Sequence, residues 1–334
     1  MTTAGRCVTV ATVSAVVLAV ATVLSLGLGS HAIAPSTVID ALLRFDPGND
    51  DHLIVMRSRV PRAALCLVVG VGLGAAGAVM QALTRNPLAE PGLLGLNAGA
   101  SLAVVVTITA FGITTIGGYL VAAFVGAALA AVAVYALGSA HRSGATPARM
   151  ALAGAAIAMA LAALTTAILL SRESAYDHFR FWSVGSLQGR GLEITGTVLP
   201  FVVLGALGAL LLARPLNALA LGDDAARSLG MSAPLVRLGG AAVVVLLAGS
   251  ATAAAGPIGF IGLVAPHAVR MLVGSDHRVL MPVTLLIGPT VLMVADVLGR
   301  IVIAPAEIPT AVAAALIGGP VFVFLVRRNR RIAG

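Results

Sequence analysis

The amino-acid sequence predicts an all-α, polytopic membrane protein with about ten transmembrane helices, and three observations carry that prediction. Of 334 residues, 59% are hydrophobic and only 10% charged, with a mean hydropathy of +1.04, whereas a soluble domain is about a quarter charged. Apolar runs near or above the ~20 residues that cross a bilayer as a helix recur along the chain. These runs are continuously apolar and do not alternate with period two, which excludes a transmembrane barrel. The same composition excludes a soluble enzyme and a nucleic-acid-binding domain despite a net charge of +8, because a water-soluble fold would lack polar surface to cover its core.

Windows of about twenty residues place the spans in order at 8–28, 61–84, 93–112, 116–139, 148–171, 196–213, 233–255, 256–273, 280–304 and 310–327. The first competes with a secretory signal, since Arg6 precedes an apolar run. That run exceeds the ~7–15 residues of a signal's apolar region, so a retained anchor is expected. Residues 29–60 carry His31, Asp40, Asp46, Asp50 and Asp51 and read as an external segment with a short helix near 36–44. Gly70, Gly72, Gly74 and Gly77 in the second span, and Gly95 and Gly99 around the third, suit close helix approach in lipid. Between these spans, Pro87, Pro91 and Gly92 force a tight connection. Trp182, beside Tyr176 and Phe181, reads as an interfacial aromatic. In 214–232, Pro215 can start a helix, Gly222 interrupts it and Gly230 can cap a second short piece. A solvated connector and a docking element both fit that pattern. The eighth span, short and holding Pro257 and Pro266, is the weakest of the ten. The whole chain, 1–334, reads as a single transmembrane domain.

Arginine placement sets the expected orientation. With the amino terminus inside, thirteen of the twenty-one arginines fall on the cytoplasmic side and eight outside, as the positive-inside rule favours. Both termini are then cytoplasmic in a multi-pass cell-membrane protein. Arg57, Arg59 and Arg62 nevertheless cluster before the second span, on the face where arginine is disfavoured. Asp296 and Arg300, four residues apart, share a helix face and read as a structural ion pair more readily than as a proton relay. His267 has no second ligand at helical spacing and reads as a structural hydrogen-bonding residue. No cofactor or metal site is expected. Cys7 and Cys66 imply no disulfide framework, and the six histidines lack metal-ligand spacing. Lysine is absent, so a Walker-type phosphate loop is excluded and ATP cannot be used through that motif.

Six ordered blocks resemble the permease subunits of type II ABC importers, the FecCD family. They are Arg59-Val-Pro-Arg62 with 77–95, Phe181 to Leu187, Arg214 to Gly230, Gly259 to Arg270 with Gly274 to Arg278, Ala295 to Arg300, and Glu307 to Pro309. The resemblance implies a ten-helix subunit paired with a second permease, a paralogue rather than an identical copy. It also implies a cytoplasmic ATPase dimer and an extracytoplasmic binding protein. On the motif positions, Arg59, Arg62 and Arg300 would dock the binding protein, with Asp296 orienting Arg300. Asn86, Pro87 and Leu88, opposite Thr146 and Pro147, would form a cytoplasmic gate. Residues 214–232, with Leu219, Gly222, Asp223, Arg227 and Gly230, would couple to the ATPase. The signatures at 181–187 and 276–284 look most like permeases for ferric catecholate siderophores of the ferric-enterobactin type; cobalamin or haem is the alternative cargo. A proton-coupled secondary transporter working through Asp296 is the alternative of another class.

Overall fold

Helix α1 (Thr3–Gly27) and the short α2 (Pro35–Leu43) precede the element around which the bundle is built, α3 (Asp50–Thr84). The computed structural model describes residues 3–140 and 147–332. Helix α3 carries 35 residues and is 78% buried over its most apolar stretch. It starts earlier than the span expected at 61–84: residues 50–59, read from sequence as part of an external segment, are helical, and Asn49 caps the helix by accepting the backbone N–H of Asp51 and His52. A π-helical turn at Val55–Arg59 then joins this extension to the span. That turn adds a residue to one helical turn and re-aims the side chains that follow.

The chain continues through a 3-10 turn (Pro91–Leu94) into α4 (Leu96–Phe111), α5 (Ile116–Ser139), α6 (Pro147–Ser171) and the short α7 (Glu173–Ser183). Next come α8 (Leu192–Leu211), α9 (Ala213–Ala220), α10 (Asp223–Ser228) and α11 (Ala233–Ala255). The last three are α12 (Ile261–Val273), α13 (His277–Ile301) and α14 (Thr310–Ile332). Every described regular element is helical, in keeping with the predicted class. Among the described residues, seven helices are long and apolar enough to cross a membrane, and α4, α12 and the apolar part of α14 are shorter.

Helix α3 packs against α13, α8, α12 and α11, so most of the core is built on its surface. Its glycines explain how. At Gly77 a Cβ would overlap the carbonyl of Gly262 on α12, and at Gly70 it would overlap Pro289 on α13. Close backbone approach of this kind replaces the hydrophobic effect as the source of packing energy in lipid. By contrast α1 and α6 are each only 11% buried over their apolar stretch.

Two expectations are corrected here. The eighth span is not a helix over 256–273. Residues 256–260 are irregular, with Gly256 and Phe260 both at positive φ, and only α12 is helical. Pro257 has no N–H to give a helix there, and Gly256 lies against the Trp182 carbonyl, where a Cβ would not fit. Trp182 is not interfacial either. It is 1% exposed, with its indole N–H donating to the Ala253 carbonyl at 3.4 Å, whereas Tyr176 and Phe181 are exposed.

Candidate functional site

Polar side chains gather at the two ends of the bundle. At one end α1, α3, α13 and α14 converge on a charge cluster. Arg62 presents its guanidinium edge to Asp296, with Nε 3.0 Å from Oδ2 and Nη2 2.9 Å from Oδ1. Its remaining nitrogen, Nη1, donates to Glu307 at 2.6 Å. The Thr310 hydroxyl donates to Asp296 Oδ1 at 2.8 Å and accepts from the Leu187 backbone N–H at 3.3 Å. Arg300 lies 3.3 Å from Asp296 Oδ2, and its Nη1 donates to the Ser25 and Leu28 carbonyls, each at 3.0 Å. Arg59 donates to the carbonyls of Leu26 and His31.

The expected Asp296–Arg300 pair is therefore present but secondary, because Arg62 is the bidentate partner. Glu307 lies in one of the six blocks, and sequence spacing could not reveal it as a partner 245 residues from Arg62. The placement of the three arginines departs from what direct docking asks. Arg59, Arg62 and Arg300 are 6%, 6% and 4% exposed. Arg59 ties the carboxyl-terminal end of α1 to α3, Arg300 ties it to α13, and Arg62 ties α13 and the α13–α14 connection to α3. Arg44, just after α2, and Arg57, in the π-helical turn of α3, are exposed.

At the opposite end, α3 finishes on Arg85 in the left-handed region, at φ 50°. Asn86 Oδ1 accepts the Leu88 N–H at 2.9 Å, which fixes the turn that follows. Leu88 is exposed. Thr146 lies outside the described residues, and Pro147 opens α6. The loop after α3 is anchored by a residue that sequence reading did not single out: Glu90 accepts the Phe260 backbone N–H at 3.0 Å, at the start of α12. Burial pushes the Glu90 carboxyl above the usual carboxylate range, while the Phe260 N–H pulls it back.

Residues 213–228 form the two short helices α9 and α10, broken at Gly222, as the proline and glycine positions suggested. Gly222 adopts φ 116° and ψ 159°, a region essentially closed to side chains. Gly230 is also left-handed, at φ 76°. Asp223 accepts from Arg237 at 2.8 Å and from Arg85 at 2.8 Å, which ties the segment to α11 and to the turn that follows α3. Arg227 pairs with Asp224 at the surface, 3.3 Å away. Leu219 was expected at a partner contact, but it is 1% exposed and faces the bundle; the exposed apolar residues are Leu221 and Leu229.

The hydrogen bond from Arg237 holds Asp223 below the usual carboxylate range. A depressed pKa contributes stability above the unfolded value and loses it as pH falls through the folded one. Acidification into that range is therefore expected to raise hydrogen exchange in peptides covering 213–232. An Asp223→Asn variant should exchange fast at every pH; unchanged, slow exchange would show that these ion pairs do not hold the segment.

His267 is buried in a T-shaped pairing with Phe322, the centroids 6.0 Å apart. No cluster of three or more potential metal-ligating residues occurs among the described residues.

A bundle of apolar helices on a glycine-lined central helix, with a charge cluster at one end and a broken-helix segment at the other, defines a polytopic α-helical membrane protein of the transporter type. Residues 17–328 match the FecCD transport family, and the chain belongs to that family. The ferric enterobactin transport system permease protein FepD of Escherichia coli K12 is 46% identical over 94% of this chain and 93% of its own length. The iron(3+)-hydroxamate import system permease protein FhuB of Bacillus subtilis 168 is 39% identical over 92% of this chain and 80% of its own. In three dimensions, a metal-chelate type ABC transporter in an inward-facing conformation superposes with a TM-score of 0.84 at 28% identity. That alignment covers 96% of this chain and 99% of the other.

Proposed function

We propose that this chain is the membrane-spanning permease subunit of an ATP-driven importer that carries ferric siderophore complexes across the cytoplasmic membrane. The observation that carries this reading is the 46% identity to the enterobactin permease over nearly the full length of both chains. Fold similarity to a metal-chelate transporter supports it. ATP hydrolysis belongs to a cytoplasmic ATPase dimer, and a second permease, a paralogue by preference, completes the pathway. Uptake of 55Fe-labelled siderophores in a deletion strain tests the reading. Uptake should be restored by the chain together with its ATPase, survive collapse of the proton gradient, and stop when ATP is depleted. Uptake that follows the gradient and ignores the ATPase would overturn it.

The arginine count supports cytoplasmic termini, which puts the gate turn at 86–88 and the segment 213–232 on the inside. We assign ATPase coupling to that segment, through Leu221 and Leu229 on its exposed surface and through the kink at Gly222. A Gly222→Val substitution forces a side chain into a glycine-only conformation, at about 1–3 kcal/mol. Stimulation of ATP hydrolysis by the binding protein should then be lost while basal hydrolysis remains. Full stimulation in that variant would remove the segment from the coupling role.

The cluster end then faces outward and is the docking surface for the extracytoplasmic siderophore-binding protein. Arg59, Arg62 and Arg300 support that surface from beneath, and Arg44 and Arg57 supply exposed charge. Exposed rim charges act mainly on association rate. Arg44→Glu with Arg57→Glu is expected to slow binding-protein association roughly tenfold at low salt, with little effect at high salt. An unchanged rate at low salt would place docking elsewhere.

A further inference from the structure

The short helix α2 has no part in the roles above, and it shows three different faces. Val38 and Ala41 are buried and join Ile33 and Val55 in a small apolar cluster against which Leu26 of α1 packs. Ile39, Leu42 and Leu43 fall on a second face and are 55%, 47% and 78% exposed. Pro35, also exposed, extends that face by a turn. Ser36 and Asp40, both exposed, form a third face with the half-buried Thr37. At ~100° per residue, the centres of the three faces follow one another at intervals of about 120°. No charged residue falls on the second face.

The neighbours of α2 fix its height. The apolar stretch of α1, Cys7–Gly27, has 21 residues and rises about 31 Å, close to the ~30 Å of the hydrocarbon core. Leu26 therefore lies at the edge of the hydrocarbon, at the end of the bundle that bears the charge cluster. The link from α1 to α2 is folded back on that edge. The Ile33 N–H donates to the Gly27 carbonyl at 3.0 Å, and Arg59 clamps the carbonyls of Leu26 and His31. A helix held at this level has protein on one side, acyl chains below it and water above. Its buried, aliphatic and polar faces match those three surroundings in kind.

We infer that α2 is an interfacial anchor, with Pro35, Ile39, Leu42 and Leu43 seated in the headgroup–acyl boundary of the leaflet at the cluster end. The partner is the lipid surface itself. Adjacent branched aliphatic side chains offer no hydrogen bond, and a soluble protein that binds and releases would leave them bare in water at each release. Lipid covers them continuously. The cluster that seats α2 includes Val55 of the α3 extension, so the anchor also fixes the level of that extension relative to the bilayer. This anchoring requires only that the chain spans a membrane, and it is independent of the cargo.

Tryptophan fluorescence in lipid tests the anchor. The full-length chain, assembled with its partner subunits but without the binding protein, is placed in phosphatidylcholine nanodiscs. Leu42→Trp and Ile39→Trp report on the aliphatic face and Asp40→Trp on the polar one. All three replace exposed side chains, so the packing of Val38 and Ala41 is untouched, and two reporters decide the matter if one variant fails to assemble. The emission of the buried Trp182 is subtracted using wild type. Lipid brominated in its acyl chains should quench Leu42→Trp and Ile39→Trp at least about twofold more than Asp40→Trp, and iodide in solution should show the reverse order. Equal response of all three reporters to either quencher would show that α2 has no oriented seat in lipid. Protection of the aliphatic face from both quenchers would place a second protein over it. Either result overturns the anchor.

Discussion

Replacing Asp296 with alanine is expected to destabilise the protein by about 3–5 kcal/mol, the cost of leaving a buried charge without its partner. Asp296 is 1% exposed and serves Arg62, Arg300 and Thr310 together. Its loss leaves Arg300 without a carboxylate and Arg62 with Glu307 alone, and cuts the thread from the cluster to Leu187. Asp296→Asn keeps acceptor capacity and should lose less. The thermal unfolding midpoint of the detergent-solubilised protein reads both effects; an Asp296→Ala variant as stable as wild type would show that the cluster is dispensable. The same geometry weakens the proton-relay alternative. A relay carboxylate must release its cation to take a proton, and here two arginines and a hydroxyl hold both oxygens.

Gly77→Leu is expected to be at least as damaging, for a reason unrelated to charge. The first side-chain carbon would already overlap the Gly262 backbone, and neither α3 nor α12 can yield, because α3 also packs on α13, α8 and α11. Overpacking costs about 1–3 kcal/mol even where side chains can move aside, and backbone cannot. Correctly assembled protein on size-exclusion chromatography should fall to near zero, whereas Ala110→Leu, at an exposed position near the end of α4, should assemble normally. Normal assembly of Gly77→Leu would mean that the two helices do not meet as closely as described.

All the spans but the eighth, the break at Gly222 and the tight connection after Arg85 were legible in the sequence because each rests on local chemistry: apolar length, glycine freedom, proline rigidity. The charge cluster was half legible. Asp296 and Arg300 share a helix face, so their pairing can be read from spacing, but the dominance of Arg62 and the part of Glu307 depend on how α3 meets α13 and α14. Burial of Arg59, Arg62 and Trp182 was not legible, since the sequence places each at the end of an apolar run without saying which way it turns. Glu90 escaped for the same reason: its partner is a backbone N–H far along the chain, exposed only because the helix expected at 256–273 starts late.

That late start bears on how the protein is made. At 13 residues, α12 rises about 20 Å, short of the ~30 Å hydrocarbon core. Lipid cannot satisfy the open backbone of 256–260; packed protein must. A nascent chain leaving the ribosome therefore has no stable resting place for this piece until α3 is already in the bilayer and α13 has followed. Membrane insertion should proceed with α12 handed over together with α13 as one hairpin, and chains truncated just after Gly274 should be cleared by quality-control proteolysis.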